Sequence, residues 1–579
     1  MKCLIFNLKQ PWSGLWQAHY QIKALIRFDF SNVYSIKSDA KENDHDPHEQ
    51  SEVSEEEIIP GGTPDKSSGD KSGGDGGGME TGEFGVRQRI GLLLGPLLFL
   101  AALLMPTPAE MSPEAQKVLA STLWIACWWV TEAIPIPVTS LMPIILFPLT
   151  GALSVADATA PYANHNVFLF LGGFTIAVCM QRWNLHRRIA LHIIYVMGTS
   201  PSRLILGFMV ATAFLSMWIS NTATSMMMVP IGLAVILQVA KIISKQKIEG
   251  IDVRQGHFNF GTCLMLSIAY AASIGGMATL IGTPPNIIFA GVVEEMFEIT
   301  ISFARWFSYG LPISTIFLFI AWQYMVKFAY PPRLKEIPGG RDVVKDELKN
   351  LGAVSRQEKA IAAVFLFVAL AWLSRSFLLE AIFPEINDAA IAIVGAVITF
   401  LIPVNLKEGR FLNNWSTAVK LPWGILLLFG GGLSLAGAFS ETGLAKWIGM
   451  RLSAVEELPM ILIMFAVVAM VIYLTEFTSN TATTSMMMPI MAAMASAMFI
   501  HPYALMITAT TATSFAFMLP VATPPNAVIF GSGYVSIPQM VRAGFLLNIL
   551  GVIMIALAAY LWLPLAWGID IHVYPEAWR

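Results

Sequence analysis

Two Ser-Asn-Thr triplets interrupt otherwise apolar stretches of the chain, at residues 220–222 and 479–481. Each is followed by a proline-rich segment, GTPPN at 282–286 and ATPPN at 522–526. Serine and threonine hydroxyls donate hydrogen bonds to carboxylates, and an asparagine amide donates to an anion or coordinates a hard cation through its oxygen. Carbonyls freed where a helix unwinds add the oxygen ligands that sodium needs. These residue types predict a site for a carboxylate anion with sodium ions.

The four motifs contain no lysine or arginine. An anion held between them must then be balanced by bound cations and by the positive ends of helix dipoles. One isolated triplet would be typical of interhelical hydrogen bonding in a membrane, but two copies, each paired with a Thr-Pro-Pro segment, favour a binding site. The candidate ligands are Ser220, Asn221, Thr222, Ser479, Asn480 and Thr481, together with the carbonyls near Gly282 and Ala522.

The elements that must position these motifs are membrane helices. Hydrophobic residues make up 55% of the 579 residues and charged residues only 13%, and 25 of the 75 charged residues lie in the first 89. The remainder is too apolar for a water-facing surface, since a soluble chain is about a quarter charged. It predicts a polytopic all-α membrane protein. The net charge of −3, without a basic run, argues against a nucleic-acid partner. The scattered histidines argue against a membrane enzyme.

The motifs belong to an internal repeat. FLGGF at 170–174 and FGGGL at 429–433 are separated by 259 residues, as are the two triplets. The two proline-rich segments are separated by 240 residues. Rare motifs duplicated in fixed order indicate that the two halves of the chain share one fold.

Lysine and arginine placement predicts the orientation, because cytoplasmic loops are enriched in both. The loop 331–359 is basic and should be cytoplasmic. Basic residues flank both ends of the apolar segment 203–243, which predicts a re-entrant hairpin with its triplet at the tip. Five crossings separate it from a second hairpin at 459–499, which should therefore enter from the opposite face. The prediction is an inverted-repeat transporter with eleven transmembrane helices, a cytoplasmic N-terminus and an extracellular C-terminus.

The predicted organisation follows from these spans. A cytoplasmic tail at 1–89 is expected to be disordered over 41–85, where the sequence is acidic and then rich in glycine and serine. Residues 1–34 fit either an interfacial amphipathic helix or a poorly ordered extension. The remaining predicted segments are a first transmembrane helix at 90–112 with its apolar span at 90–108, a first repeat at 113–335, a cytoplasmic linker at 336–357, a second repeat at 358–570 and a C-terminal tail at 571–579.

The sequences SNTATSMMMVP, SNTATTSMMMP, GTPPN and ATPPN, with WWVTEAIPIPVTSLMP at 128–143, resemble the divalent anion/sodium symporter family. That family includes sodium-coupled dicarboxylate and citrate transporters, and the resemblance covers roughly residues 90–570. It implies a homodimer in which each protomer has a scaffold domain and a mobile transport domain that works by an elevator motion.

The resemblance also implies two sodium sites and a substrate site. The first sodium site corresponds to Ser216, Ser220, Asn221 and Gly282. The second corresponds to Thr475, Thr478, Asn480 and Ala522, where a backbone carbonyl is the expected ligand at Thr478. The substrate carboxylates are expected between the two triplets, with Thr283 and Thr523 nearby.

The resulting hypothesis is sodium-coupled import of a C4 dicarboxylate (succinate, malate or fumarate) across the plasma membrane. The alternatives are citrate or sulfate symport, sodium-independent dicarboxylate exchange, or an anion channel whose triplets form the selectivity filter. One further residue stands out, because Glu476 replaces Met217 of the first repeat. Carboxylates inside membranes are usually functional. Glu476 is predicted to tune ion binding or take a proton, or else to pair with a donor inside the hairpin.

Overall fold

The computed structural model describes residues 85–198, 200–246, 251–332, 340–452 and 458–578. The predicted disordered tail falls almost entirely outside these residues, as do Lys247, Arg333 and Lys335 of the basic loops. Within the described ranges the regular elements are helices and one small antiparallel sheet. In that sheet β1 (Pro403–Asn405) pairs with β2 (Arg410–Phe411).

The longer helices of the first half run from 16 residues in α8 (Pro201–Ser216) to 26 in α9 (Asn221–Gln246), and shorter helices connect them. In chain order the helices are α1 (Val86–Leu104), α2 (Pro113–Thr131), α3 (Ile136–Thr139), α4 (Met142–Thr150), α5 (Val155–Thr159), α6 (His165–Arg182), α7 (Leu185–Met197), α8 (Pro201–Ser216), α9 (Asn221–Gln246), α10 (Asn259–Gly276), α11 (Pro284–Phe297) and α12 (Phe303–Tyr324).

The second half has the same kinds of element. They are α13 (Gly340–Asn350), α14 (Arg356–Ser374), α15 (Glu380–Ile382), α16 (Asp388–Leu401), α17 (Trp415–Ala418), α18 (Trp423–Glu441), α19 (Leu444–Leu452), α20 (Met460–Thr475), α21 (Asn480–Ala497), α22 (Pro502–Thr513), α23 (Pro524–Gly531), α24 (Ile537–Leu557) and α25 (Leu563–Trp567). Single π-helical turns, Met325–Ala329, Arg375–Leu379 and Ala558–Trp562, extend α12, α14 and α24.

The helix boundaries follow the sequence repeat. The pair α8 and α9 (pair 1) and the pair α20 and α21 (pair 2) begin and break at positions 259 residues apart. The break of pair 1 is tip 1 (217–220) and that of pair 2 is tip 2 (476–479). Broken helix 1 consists of α10, loop 1 (277–283) and α11, and broken helix 2 consists of α22, loop 2 (514–523) and α23.

Prolines set where several of these helices start. α8, α11, α22 and α23 each carry proline in the first turn, where the missing N–H has no intrahelical partner to lose. Proline also explains one shift from the predicted boundaries. The apolar span predicts a helix over 90–108, but α1 ends at Leu104, because Pro106 and Pro108 disfavour helix in the residues before them.

The first limbs of the two broken helices form the centre of the molecule. All of α22 is buried, and so is every residue of α10 except Asn259. By contrast, only 17% of α1 is buried, although it is apolar from Ile90 onward. A helix that exposes an apolar surface on this scale is one that faces lipid.

Among the described residues, seven helical segments are long and apolar enough to cross a membrane: Val86–Leu104, Val155–Arg182, Asn221–Lys245, Phe303–Ala329, Arg356–Ile382, Trp423–Glu441 and Ile537–Trp567. Four shorter apolar helices accompany them: Ile136–Thr150, Pro201–Ser216, Asp388–Leu401 and Met460–Thr475. A multi-pass membrane protein is therefore confirmed. The count of eleven crossings, the re-entrant course of pairs 1 and 2 and the orientation stay predictions.

The glycines of the repeated FLGGF and FGGGL motifs allow close helix contacts. A Cβ on Gly172 of α6 would lie 2.6 Å from the backbone of Ala392 in α16, and one on Gly431 of α18 would lie 2.4 Å from the carbonyl of Ser140. The duplicated glycines therefore serve packing within the helical assembly.

Candidate substrate and sodium site

Tip 1 gathers oxygen atoms where α8 ends and α9 begins. The Ser216 hydroxyl lies 2.5 Å from Asn221 Oδ1 and 2.7 Å from the carbonyl oxygen of Ala272 on α10. One hydroxyl proton serves only one of these two acceptors. Two oxygens therefore face each other without a proton between them, which is an arrangement that a bound cation stabilises.

Loop 1 approaches this cluster closely because its glycines have no side chain. A Cβ on Gly276 would lie 2.4 Å from Asn221 Oδ1, and a Cβ on Gly282 would lie 2.3 Å from the carbonyl oxygen of Gly276. At Gly282 the obstacle is backbone, which leaves no room for a larger residue, and at Gly276 a larger residue would displace the Asn221 amide. The structure thus brings together Ser216, Asn221 and Gly282, three of the four residues predicted for the first sodium site.

Tip 2 has the equivalent contact between a hydroxyl and an amide oxygen, with threonine in place of serine. The Thr475 hydroxyl lies 2.6 Å from Asn480 Oδ1, at the positions equivalent to Ser216 and Asn221. The Thr478 hydroxyl instead bonds to the Leu474 carbonyl and to Thr483, 2.9 and 2.6 Å away. Its side chain is thus engaged within pair 2. Ala522 is buried at the end of loop 2.

Each proline-rich segment ends in an asparagine that ties its loop together, a role the sequence did not reveal. Asn286 Nδ2 lies 2.7, 3.2 and 3.4 Å from the carbonyl oxygens of Thr279, Met277 and Gly276. The sequence did contain a signal for this role, because both proline-rich segments carry asparagine at the same position. Asn526 Nδ2 lies 3.1 and 3.0 Å from the carbonyls of residues 516 and 519. Both asparagines are fully buried.

Each loop is also tied to its neighbouring tip, in two different ways. In the first half the Thr279 hydroxyl donates to the carbonyl of Met217, 2.5 Å away. In the second half Glu476 stands at the position equivalent to Met217, and its side chain makes the connection between tip 2 and loop 2. Its Oε1 accepts from the N–H groups of Phe517 and Met518 at 2.8 and 2.9 Å, and its Oε2 accepts from Leu519 at 3.0 Å.

Asn548 on α24 completes this set, because its Nδ2 donates to Glu476 Oε1 at 2.7 Å. Glu476 is 1% exposed. Four donors converge on its two oxygens, and hydrogen bonds donated to a carboxylate favour its ionised form. Of the roles predicted for Glu476, the geometry matches pairing with donors, but the predicted location of the donors was wrong. Three of the four donors belong to loop 2 and one to α24, and none of the four belongs to the hairpin.

The triplets themselves are only half-buried. This holds for Ser220, Asn221, Thr222, Ser479, Asn480 and Thr481. The Ser220 hydroxyl accepts from the N–H of Ala223 at 3.3 Å and so caps the first turn of α9. Thr283 and Thr523 precede α11 and α23 and are each 3% exposed. The triplets thus keep polar atoms available to a ligand at helix starts, where the dipole favours an anion.

The two halves meet around these motifs. The second limb of broken helix 1, α11, packs against α21 and α22 of the second half. The second limb of broken helix 2, α23, packs against α9 and α10 of the first half. Each proline-rich segment therefore starts a limb that packs against the triplet helix of the other half.

Helices of membrane-crossing length, duplicated around two unwound loops, define a polytopic helical membrane transporter. The chain belongs to the family described as "sodium:sulfate symporter transmembrane region", which matches residues 88–568. This confirms the family resemblance.

Similar proteins are consistent with that assignment. The chain is 45% identical over 496 residues to a sodium-dependent dicarboxylate transporter, SdcS, of Staphylococcus saprophyticus, covering 85% of this chain and 94% of the relative. It is 46% identical over 498 residues to the SdcS of a bovine Staphylococcus aureus strain, covering 84% and 94%. Among solved structures, Neisseria gonorrhoeae MtrF aligns with a TM-score of 0.52 at 10% identity, over 82% of this chain and 95% of that one. This last similarity concerns the fold alone.

Proposed function

We propose that the protein is a secondary active symporter that imports C4 dicarboxylates (succinate, malate or fumarate) together with sodium ions. The observation that carries the proposal is the pair of matching oxygen clusters, Ser216 with Asn221 and Thr475 with Asn480. Each cluster adjoins a half-exposed triplet that has hydroxyl and amide donors but no cationic side chain. The sodium-dependent dicarboxylate transporters to which the chain is similar support the same proposal.

The charge balance explains why sodium and substrate would be coupled. A dicarboxylate brings two negative charges into a region that already holds the carboxylate of Glu476. Neutral donors lower the energy of these charges, but in a medium of low dielectric constant they do not cancel them. Sodium ions at the two clusters supply the missing positive charge, so the substrate site is completed only when the ions are bound.

The proposed ligands follow from this scheme. The first sodium ion is assigned to Ser216, Ser220, Asn221 and Gly282, and the second to Thr475, Thr478, Asn480 and Ala522. The substrate carboxylates are assigned to the Ser220–Thr222 and Ser479–Thr481 triplets, with Thr283 and Thr523 closing the site. Sodium is a transported ion here and not a resident cofactor.

The wider architecture belongs to the same proposal. It comprises eleven crossings in two inverted repeats at 113–335 and 358–570, an elevator motion, a homodimer, and insertion in the plasma membrane with the N-terminus in the cytoplasm. The repeated helix boundaries of pairs 1 and 2 and the family membership support it.

The decisive experiment is uptake of labelled succinate into proteoliposomes containing the full chain. We expect uptake with external sodium, and none when potassium or choline replaces it. Unlabelled malate and fumarate should compete, whereas stronger competition by citrate or sulfate would reassign the substrate. Uptake indifferent to sodium would refute the coupling, and flux that neither saturates nor shows trans-stimulation would indicate a channel.

The number of sodium ions is read from the effect of membrane potential in the same vesicles. If more than two ions accompany each dianion, an inside-negative potential should accelerate uptake, because each net charge gains about 2.3 kcal/mol per 100 mV. Two ions per dianion would make the loaded cycle electroneutral.

A further inference from the structure

Polar side chains meet where α11 ends, at the opposite end of that helix from loop 1. The last turn of α11 contains Glu294, and the start of α6 surrounds it with three side chains, those of Asn164, His165 and Asn166. Glu294 Oε2 accepts from Asn166 Nδ2 at 2.8 Å and from Asn164 Nδ2 at 3.4 Å. Glu294 Oε1 lies 3.1 Å from His165 Nδ1. These four residues make up the α6–α11 cluster.

The cluster is shielded on one side and open on the other. Asn166 is 3% exposed. The side chains of Glu294 and His165 are 22% and 30% exposed. The amides therefore hold the carboxylate from the protein side, while the imidazole stays within reach of protons from solvent.

The second half of the chain does not repeat this cluster. The offset of 240 residues relates Glu294 to a position of the second half, as it relates the two proline-rich segments, and the offset of 259 does so for the three residues of α6. The equivalent positions carry a phenol, an indole, no side chain and an aliphatic chain: Tyr534, Trp423, Gly424 and Ile425. The second half thus has neither the carboxylate nor the amides and imidazole that surround it.

The ends of the two equivalent limbs also lie in different surroundings. α11 packs against α18 and reaches α6, the two helices that carry the duplicated glycine motifs. α23 packs against α9 and α10, and the carbonyl of Tyr534 just beyond it accepts from the Thr262 hydroxyl of α10 at 3.1 Å. The two halves of the protein are therefore not in the same conformation at this point.

A difference of this kind is expected of one end state of a transporter. Alternating access in inverted-repeat proteins moves one bundle against the other. α11 begins next to Thr283, which is assigned to the substrate site, so a motion that carries the site past α6 separates Glu294 from its donors. Because the equivalent residues of the second half cannot form such a cluster, its hydrogen bonds stabilise one end state and not the other.

The side chains around the cluster are mostly acidic or neutral. Glu295 follows on α11 and interacts with Glu441 of α18, which in turn interacts with Asp157 of α5. α21 and α22, which also pack on α11, contain Tyr503 as their one titratable side chain. The turn before α6 adds Tyr162, whose hydroxyl donates to a backbone carbonyl.

One further carboxylate faces the cluster from α16. Asp388 interacts with His165, but it also lies 2.8 Å from Arg375 Nε and accepts from the N–H of Phe303 at 2.6 Å. Of the groups named around the cluster, only Arg375 is cationic, and it is paired with Asp388. A proton added to His165 therefore meets a surplus of negative charge.

We propose that the α6–α11 cluster is a latch that holds this end state, opens in each transport cycle and closes more firmly when His165 is protonated. This inference rests on the proposed transport function. An imidazolium ring attracts the Glu294 carboxylate more strongly than a neutral ring does, and histidine is the side chain whose charge ordinarily changes between about pH 5 and 8. Acidification over this range should therefore slow the step in which the latch opens.

The first test asks whether the cluster separates during transport. The full chain with Asn166→Cys and Glu294→Cys is reconstituted in proteoliposomes and treated with a short bis-methanethiosulfonate reagent, which bridges two thiols through bonds that a reductant cleaves. We expect bridging, verified by mass spectrometry, to lower sodium-driven succinate uptake by about tenfold or more, and reductant to restore it. The two single-cysteine variants control for the native cysteines and should keep their uptake. A bridged protein that transports at its unbridged rate would overturn the latch.

The second test concerns the proton. Maximal succinate uptake is compared between about pH 8 and about pH 6 for the parent, His165→Gln and Glu294→Gln, because glutamine keeps polar contacts but does not titrate. Substrate protonation affects all three proteins alike, so the ratio of parental to variant rate isolates the cluster. We expect this ratio to fall by about threefold or more as the pH is lowered. A constant ratio would overturn the proton sensitivity, and a rising ratio would overturn its sign.

Glu298→Gln is the matched control, since Glu298 lies one turn beyond Glu294 and is exposed. It should keep the parental pH profile. If the double-cysteine variant is inactive before treatment, the pH profiles carry the test. Failure of the proposed function is recognised separately, because the unsubstituted protein then takes up no succinate with sodium at any pH, whereas failure of the latch alone leaves that uptake intact.

Discussion

Replacing Glu476 by glutamine tests how loop 2 is held in place. Its carboxylate accepts from three backbone N–H groups of loop 2 and from Asn548. Glutamine has nearly the same shape but no charge, and it offers one acceptor oxygen in place of two. If that oxygen takes the position of Oε1, the new NH₂ group faces the N–H of Leu519, and two donors then oppose each other.

The magnitude follows from the bonds affected. A hydrogen bond to a charged group contributes about 1.5–3 kcal/mol, and leaving a buried donor without a partner costs about 1–3 kcal/mol. The substitution loses the bond from Leu519 and weakens the other three, so the ordered form of loop 2 should lose at least about 2 kcal/mol. Ala522 and Thr523, which end this loop, are proposed to contact sodium and substrate. If fewer molecules hold loop 2 in its ordered form, the apparent affinity for these ligands falls in proportion.

We therefore expect Glu476→Gln to raise the sodium concentration for half-maximal succinate uptake by about tenfold or more, which corresponds to about 1.4 kcal/mol. Thermal unfolding of the purified variant should occur at lower temperature, and sodium should recover part of the loss, because a ligand of the folded state stabilises it. Glu408→Gln is the control, since Glu408 lies in the turn between β1 and β2 with its side chain 51% exposed.

Sodium half-saturation within twofold of the parent, with unchanged thermal stability, would refute this account of Glu476. A second result would point to another role. If Glu476 carried a transported proton, glutamine would mimic the protonated form and abolish the pH dependence of uptake. If the Glu476 carboxylate instead only accepts hydrogen bonds and carries no proton, the pH dependence of uptake should survive the substitution.

Three further substitutions test the oxygen clusters and loops. Gly276→Ala places a Cβ 2.4 Å from Asn221 Oδ1 and should abolish uptake in assays normalised to protein amount, whereas Gly173→Ala, whose Cβ meets its nearest atom at 3.5 Å, should not. Thr475→Ala should raise sodium half-saturation by about tenfold, and Thr475→Ser, which keeps the hydroxyl, should restore it to within about threefold; equal effects of the two would contradict a ligand role. Asn526→Ala removes the donors to the carbonyls of loop 2 and should lower thermal stability by about 1–3 kcal/mol, measured by denaturation in detergent.

Composition and spacing predicted much of this protein. The apolar content required membrane helices, and the 259-residue spacing of the triplets reappears in the boundaries of α8, α9, α20 and α21. Helix breaks are encoded locally, because proline lacks an N–H and restricts the residue before it. The pairing of Ser216 with Asn221 and of Thr475 with Asn480 was also anticipated in the sodium sites that the family resemblance implied.

Other features depend on residues that are distant in the sequence, and the sequence left them open. Glu476 was noticed as a carboxylate in an apolar segment, but its partners lie 41 to 72 residues away on loop 2 and α24. The buried contact of Arg188 with Glu358 spans 170 residues. Such contacts are set by the way helices pack, and several packings satisfy the same apolar pattern.

The sequence by itself thus determined the protein class and the repeat, and it predicted the chemical types of the ligands, because each is a property of local composition or of spacing along the chain. Only the tertiary structure decided which oxygen atoms meet, that Asn286 and Asn526 tie loops 1 and 2, and that α11 and α23 each pack on the opposite half. The physical reason is that the geometry of a polar cluster inside a membrane protein depends on distances of a few tenths of an ångström between helices, and these distances are fixed by close packing of the whole helical assembly.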